Sequence, residues 1–242
     1  MRLILAYNTS FSYWGSSKFG SRKISKFRIA LPIEHPFYNR YPIHMFLFNT
    51  CQKPDCQLYA AHGEDYCLHH VDNPEACNTR LVEIIHDTKV LKDLNSSCIN
   101  VEDSDFSDHT FMVCNFSESS FKNVDFSHSS FDLCFLQYSR FENCRFAETN
   151  IKYSVFAGST FINCDFKDSD IVHTNFLGIH AENCVFNDSD LYYSNFTSAE
   201  LRDVSFVDCN LKKADFVNSS RETVSFKYSN YEEARFQQDT AI

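Results

Sequence analysis

Between Asp105 and Phe236 the large hydrophobic positions recur at every fifth residue, without insertion or deletion. Phe106, Phe111, Phe116, Phe121 and Phe126 open the series; of its 27 members 18 are Phe, four are Leu and two are Ile. The remaining three are Ala181, Arg221 and Tyr231. Two residues before each member stands a small side chain, eleven times Ser and six times Cys, and only His109 and Ile179 are larger. Asp or Asn often directly precedes the large residue, as at Asp105, Asn115, Asp125 and Asp165. A period of five fits neither the 3.6 of a helix nor the 2 of a strand, so internal repetition decides the fold.

A longer period is nested in the shorter one. Every twentieth residue from Phe106 to Phe226 is Phe, whereas the series from Phe111 drifts through Ile151, Ile171, Leu191 and Leu211. Distinct columns at a period of twenty are what stacked coils of twenty residues produce. Neighbouring coils then lie about 4.8 Å apart, and each contacts only the next. A ring on every side fills such a tube only if the second inward residue is small, which explains the Ser and Cys. At Ala181 the order reverses, with Ile179 as the large partner, an exchange that conserves volume.

Upstream, residues 72–94 read as a helix. Asp72 or Asn73 caps it, Pro74 suits its first turn, and Leu81, Ile84, Ile85 and Leu91 fall near one face. A solenoid needs covered ends, and this helix is expected to lie across the first coil near Phe106. Only Gln237 to Ile242 follow the last repeat. That end is expected to leave Phe226, Tyr231 and Phe236 near the surface, partly shielded by the Arg221 stem. The expected consequence is a two-fold homodimer through the C-terminal coils.

Charge changes the picture along the chain. Residues 1–100 carry 11 Lys+Arg against 9 Asp+Glu, and residues 101–242 carry 11 against 23. The acidic repeat block is a poor grip for a phosphate backbone and suits a solvated surface or a partner with a basic groove. Residues 1–50 hold seven Lys+Arg and one acid, Glu34, and read as a basic, aromatic arm or, if translation starts at Met45, as 44 residues upstream of the natural protein. No run of residues has the roughly 18–20 apolar positions of a membrane span, and the opening apolar run is short for a secretory signal. A cytoplasmic protein is expected.

The eleven cysteines fall into two uses. Cys114, Cys134, Cys144, Cys164, Cys184 and Cys209 all occupy the small inward position, where a thiol acts as a small hydrophobe. Cys51, Cys56 and Cys67 instead cluster with His70 in the spacing C-x4-C-x10-C-x2-H. Two close pairs of soft donors match a closed structural zinc site, with His69 and then His62 as substitutes for His70. It looks like a small treble-clef or knuckle-type zinc finger. All four positions are filled by protein, leaving none open for catalysis. The acids Asp165, Asp168, Asp170, Asp188 and Asp190 fall on outward or turn positions of the rod.

The pattern of small residue, Asp or Asn, Leu or Phe, and two variable residues resembles the pentapeptide-repeat family over more than half of the chain. The resemblance implies an all-β, right-handed quadrilateral β-helix, in which each coil has four sides; the residues upstream add a small N-terminal zinc-binding module and a capping α-helix. The chain then divides into a basic segment (1–50), a zinc module (51–72), a linker and capping helix (73–100) and the β-helix (101–242). It also implies a binding or scaffold role rather than an enzyme, with an unidentified protein as partner. Some members, those linked to quinolone resistance, resemble a DNA duplex and engage DNA gyrase; they generally lack such a cysteine cluster. The rival reading is a zinc-finger nucleic-acid-binding protein whose repeats serve as an oligomerisation rod.

Overall fold

The computed structural model describes residues 48–237, so the readings made for residues 1–47 and for the last five residues lie outside it. One helix, α1 (Pro74–Asp87), precedes twelve three-residue strands. Strands β1 (Val90–Lys92), β3 (Thr110–Met112), β5 (Ser130–Asp132), β7 (Asn150–Lys152) and β9 (Asp170–Val172) stack into one parallel sheet. Strands β2 (Asn100–Glu102), β4 (Ser120–Lys122), β6 (Arg140–Glu142), β8 (Thr160–Ile162), β10 (His180–Glu182), β11 (Glu200–Arg202) and β12 (Ser220–Glu222) form a second. Every pairing joins residue i to i+20, as in Val101 with Phe121 and Phe121 with Phe141. Single bridges complete the other two sides, Asn115 to Phe135 and Asp125 to Arg145 among them. The result is a parallel β-solenoid of about seven four-sided turns.

The corners explain how a chain with so few glycines can turn so often. At every fifth residue from Asp93 to Tyr228, two places after each inward centre, the backbone is left-handed, with φ between 49° and 67°. Asp and Asn, which tolerate this region, hold many of these corners; Gly158 and Gly178 hold two. The glycines are not equivalent. A Cβ on Gly158 would lie 2.7 Å from the Tyr138 ring, while one on Gly178 would meet nothing within 4 Å. Gly178→Asn is therefore expected to be neutral or slightly stabilising. Gly158→Asn should cost about 1–3 kcal/mol, as overpacking does, and Tyr138→Ala should restore it; thermal melts of the three variants check this.

The interior is a filled column of rings. Phe126, Phe146, Phe166 and Phe186 stack face to face at 4.6–4.9 Å and meet neighbouring sides edge-on. The small inward residues do more than leave room. Ser139 Oγ donates to Phe116 O (2.8 Å) and accepts from the backbone N–H of Ser119 (3.1 Å). The Cys134 thiol likewise points at Phe111 O, 3.4 Å away. These groups satisfy backbone that the ladder between coils leaves unpaired.

Two expectations need correction at the N-terminal end. Helix α1 stops at Asp87, not near residue 94, with Asn73 as its cap. The coils begin at Val90, not at residue 101, and Leu91 is an inward centre in β1 rather than a helical residue. The first coil is disguised by inverted sizes: small Ser96 takes the centre and Leu94 the partner position, both buried.

The same inversion holds at Ile179 and Ala181, both fully buried. Ile179→Ser is expected to cost about 2–4 kcal/mol, and adding Ala181→Phe should recover much of it. Chemical denaturation decides: a double variant less stable than the single one would mean that the two side chains do not share one volume.

At the C-terminal end Tyr231 is not an inward centre. It opens a 3-10 turn (Tyr231–Glu233) and is 56% exposed. Asn230 Oδ1 takes its place on the ladder by accepting from the N–H of Leu211 (2.6 Å). Arg221 does cover the end, its guanidinium 4.8 Å from the centroid of Phe236.

Candidate metal centre

The segment before α1 folds around four donor atoms. An antiparallel bridge between Thr50 and Tyr59 and a bond from Cys51 N to Leu58 O (2.9 Å) fix the first arm. Between its cysteines Asp55 takes a left-handed turn, with Cys56 N on Lys53 O. In the second arm the Cys67 carbonyl accepts from the N–H groups of His70 (2.8 Å) and Val71 (3.1 Å), folding the imidazole back over the thiols. The donor atoms of Cys51, Cys56, Cys67 and His70 all lie within 4.8 Å of one another.

The spacing can be tested against coordination chemistry. A tetrahedron with ligands about 2.3 Å from its centre has edges of roughly 3.8 Å. Here Cys56 Sγ and Cys67 Sγ are 3.9 Å apart, and His70 Nδ1 lies 3.5 Å from Cys51 Sγ and 3.2 Å from Cys67 Sγ. The thiols are all free, with no disulfide among the described residues. They are also unequal. Desolvation opposes the Cys51 thiolate, but hydrogen bonds with the backbone of Cys67 and Lys53 and with His70 and Cys67 bring its pKa down to about 6. Desolvation, with the nearby Cys51 and Cys56, pushes Cys67 up to about 11. The set fits a borderline-soft dication better than Ca²⁺ or Mg²⁺. His70 is the imidazole that joins the cluster; His69 and His62 stand outside it.

This module, α1 and the first coils share one core, which contains Ala61, Leu68, Cys77, Leu81, Ile85 and Leu91. Polar latches tie them together. Asn95 Nδ2 donates to Ala60 O, and His62 N donates to Asn95 O (2.9 Å). Arg80 bridges the His62 carbonyl (2.8 Å) and the Glu64 carboxylate (2.9 Å). Asn78 pairs with both backbone groups of Asn100, at 2.7 and 2.9 Å. His109 completes the joint: its Nε2 reaches Ile85 O in the last turn of α1 at 3.0 Å. Sequence reasoning marked His109 only as an oversized residue at a small position, and that size was the available signal. The helix and module together form the cover over the first turn.

The six inward cysteines of the repeats form no comparable site; all are buried, and each thiol points at a backbone carbonyl, as Cys144 does at Phe121 O.

Two family profiles match the repeats: "Pentapeptide repeat region" over residues 159–236 and "Pentapeptide repeats (8 copies)" over residues 139–178. No curated protein sequence matches the chain. Among solved structures, the chain is similar to QnrB1, a plasmid-mediated fluoroquinolone resistance protein, at 13% identity and a TM-score of 0.28, covering 60% of this chain and 93% of that one. A pentapeptide repeat protein from the thylakoid lumen of Arabidopsis thaliana is 32% identical over 33% of this chain and 59% of its own, with a TM-score of 0.25. HetL, a pentapeptide repeat protein from the cyanobacterium Nostoc involved in heterocyst differentiation regulation, is 11% identical over 72% and 100%, with a TM-score of 0.20.

Proposed function

We propose that this chain, whose repeat region belongs to the pentapeptide-repeat family, is a non-enzymatic protein-interaction scaffold whose rod is stapled at one end by a structural Zn²⁺. The observation that carries the reading is how the chemistry-bearing side chains are used. Interior Cys, Ser and Thr satisfy backbone groups, and the one convergent cluster among the described residues offers four protein donors, a closed set of the structural type. What remains for recognition is the outer surface, a regular array of corners and flat sides. No helix among the described residues is long and apolar enough to cross a membrane.

Metal analysis of the purified full chain tests the staple. The expected result is one zinc per chain, and a Cys56→Ser variant that kept stoichiometric zinc would sink the assignment. Affinity capture with the intact rod, compared with a variant neutralised along one acidic corner, tests the scaffold.

A second reading, a DNA-like rod acting on gyrase, draws on one feature. Asp108, Glu148, Asp168, Asp188 and Asp208 are exposed along one corner, interrupted once by His128. A supercoiling assay with the full chain tests it: inhibition lost on changing these five to Asn and Gln supports it, and no inhibition rejects it. The nucleic-acid-binding reading is disfavoured for the described module, because residues 51–100 carry four Lys+Arg against eight Asp+Glu.

A further inference from the structure

The acidic rod has one side that is uncharged over four turns, between Glu118 on the turn before and Lys213 and Asp215 on the turn after. Four successive turns cross it as residues 133–138, 153–158, 173–178 and 193–198, and none of these positions is Asp, Glu, Lys or Arg. Along one corner of this side runs an aromatic ridge on left-handed residues. Tyr153 stacks on His173 at 5.3 Å and His173 on Tyr193 at 4.9 Å. Lys213 closes the ridge, its Nζ 5.4 Å from the Tyr193 centroid and 3.3 Å from Tyr192 Oη. The opposite corner is notched at Gly178, beside which the space is open, while the Tyr138 ring fills the space beside Gly158. Tyr138, Tyr153 and Tyr193 are 63%, 54% and 52% exposed, and Leu177 between the corners is 42% exposed.

We infer that this side is a self-association surface, on which a second copy of the chain docks with its rod parallel to the first. The inference deepens the scaffold reading and rests on it. Three arguments select a second copy. Each chain carries a net charge of −10, so two copies repel wherever acidic surfaces meet; across this side that repulsion is smallest. The three tyrosines alone offer roughly 250–400 Å² of surface, a large share of the roughly 800 Å² per partner of a standard interface. The shape is also self-complementary. A two-fold axis parallel to the rod sets the ridge of one copy against the notched corner of the other, and the reverse. Both corners lie on the same turns, so Tyr153, His173 and Tyr193 face the partner turns that carry Gly158, Gly178 and Ser198. An antiparallel two-fold sets ridge against ridge and leaves the notches empty.

Sedimentation velocity on the full chain tests this. The expected result is a reversible dimer with Kd on the order of 10–100 µM. It should tighten as salt rises from about 50 to about 500 mM, because salt screens the repulsion. Tyr153→Glu with Tyr193→Glu should weaken it at least about tenfold, while Phe236→Asp at the rod end leaves it unchanged. Mixing a Tyr193→Asp chain with a Ser198→Arg chain should give a tighter dimer than either alone, which only the parallel ridge-to-notch arrangement predicts. A monomer throughout, a dimer lost with Phe236→Asp but kept in the tyrosine variant, or no gain on mixing would each overturn the proposal. The scaffold reading is judged separately by capture of other proteins.

Discussion

Replacing Phe166 with alanine is expected to cost about 3–5 kcal/mol, the range for truncating a buried aromatic. Phe166 is fully buried, and it stacks on Phe146 and Phe186 at 4.6 Å with ring planes within 3° of parallel. It also meets Phe161 edge-on at 5.4 Å. The surrounding coils cannot collapse into the void, because their spacing is held by hydrogen bonds such as Phe166 N to Val185 O and Asp165 N to Cys144 O. Each turn touches only its neighbours, so the loss weakens the coupling between the two halves of the rod. A single thermal transition should separate into two, and amides beside residue 166 should gain exchange more than those near Phe121 or Phe206. A uniform small loss of stability with one transition retained would show that the ring column is not what couples the coils.

The rod was legible because its physics repeats. One inward ring per side, one small partner and a fixed return of twenty residues put the register on display from Phe106 onward, and the pairings of Phe121 with Phe141 and Ile151 with Ile171 follow it. The first turn was not legible, because Leu94 with Ser96 and Ile99 with Val101 conserve volume while scrambling the pattern. A volume criterion on each pair would have found it, as it did at Ile179 and Ala181. Tyr231 failed for the opposite reason. Its spacing is right, but among the described residues no further coil pairs with it, and an Asn230 side chain can satisfy Leu211 N while the ring turns to water. The corners were legible only in part: Asp and Asn suggest left-handed turns, whereas Val113, Leu133 and Tyr153 adopt them because the coil demands it. The cluster of Cys51, Cys56, Cys67 and His70 could be read from spacing, since two short loops leave little freedom. Its attachment to the rod could not, because Asn95, Asn78 and His109 act across gaps of more than twenty residues.

With the zinc proposed above in place, that attachment makes metal removal the change with the widest expected reach. Structural zinc contributes on the order of 10–16 kcal/mol in small fingers, and this binding energy is folding energy. Here residues 50–72 contain only a few apolar side chains, and the antiparallel arm is a single bridge, so the module has little else to hold it. Stripping the metal, or Cys67→Ser, is expected to unfold this segment. The loss should spread one step further than the module itself. Asn95 gives up Ala60 and His62, Arg80 gives up His62 and Glu64, and the faces of Leu81 and Ile85 lose Ala61 and Leu68. Helix α1 and the turn through Leu91 should then fray, while coils from about Phe131 onward keep their own core. Hydrogen exchange of the full chain checks this by position: protection should vanish over residues 50–72, fall over 74–101 and persist beyond Phe131. Returning Zn²⁺ should restore all of it in the unmodified chain and none of it in Cys67→Ser. Full protection of residues 50–72 without metal would show that packing alone holds the module. Loss of protection throughout the rod would show that the capped end nucleates every coil, since a stack of independent neighbours cannot transmit a defect that far.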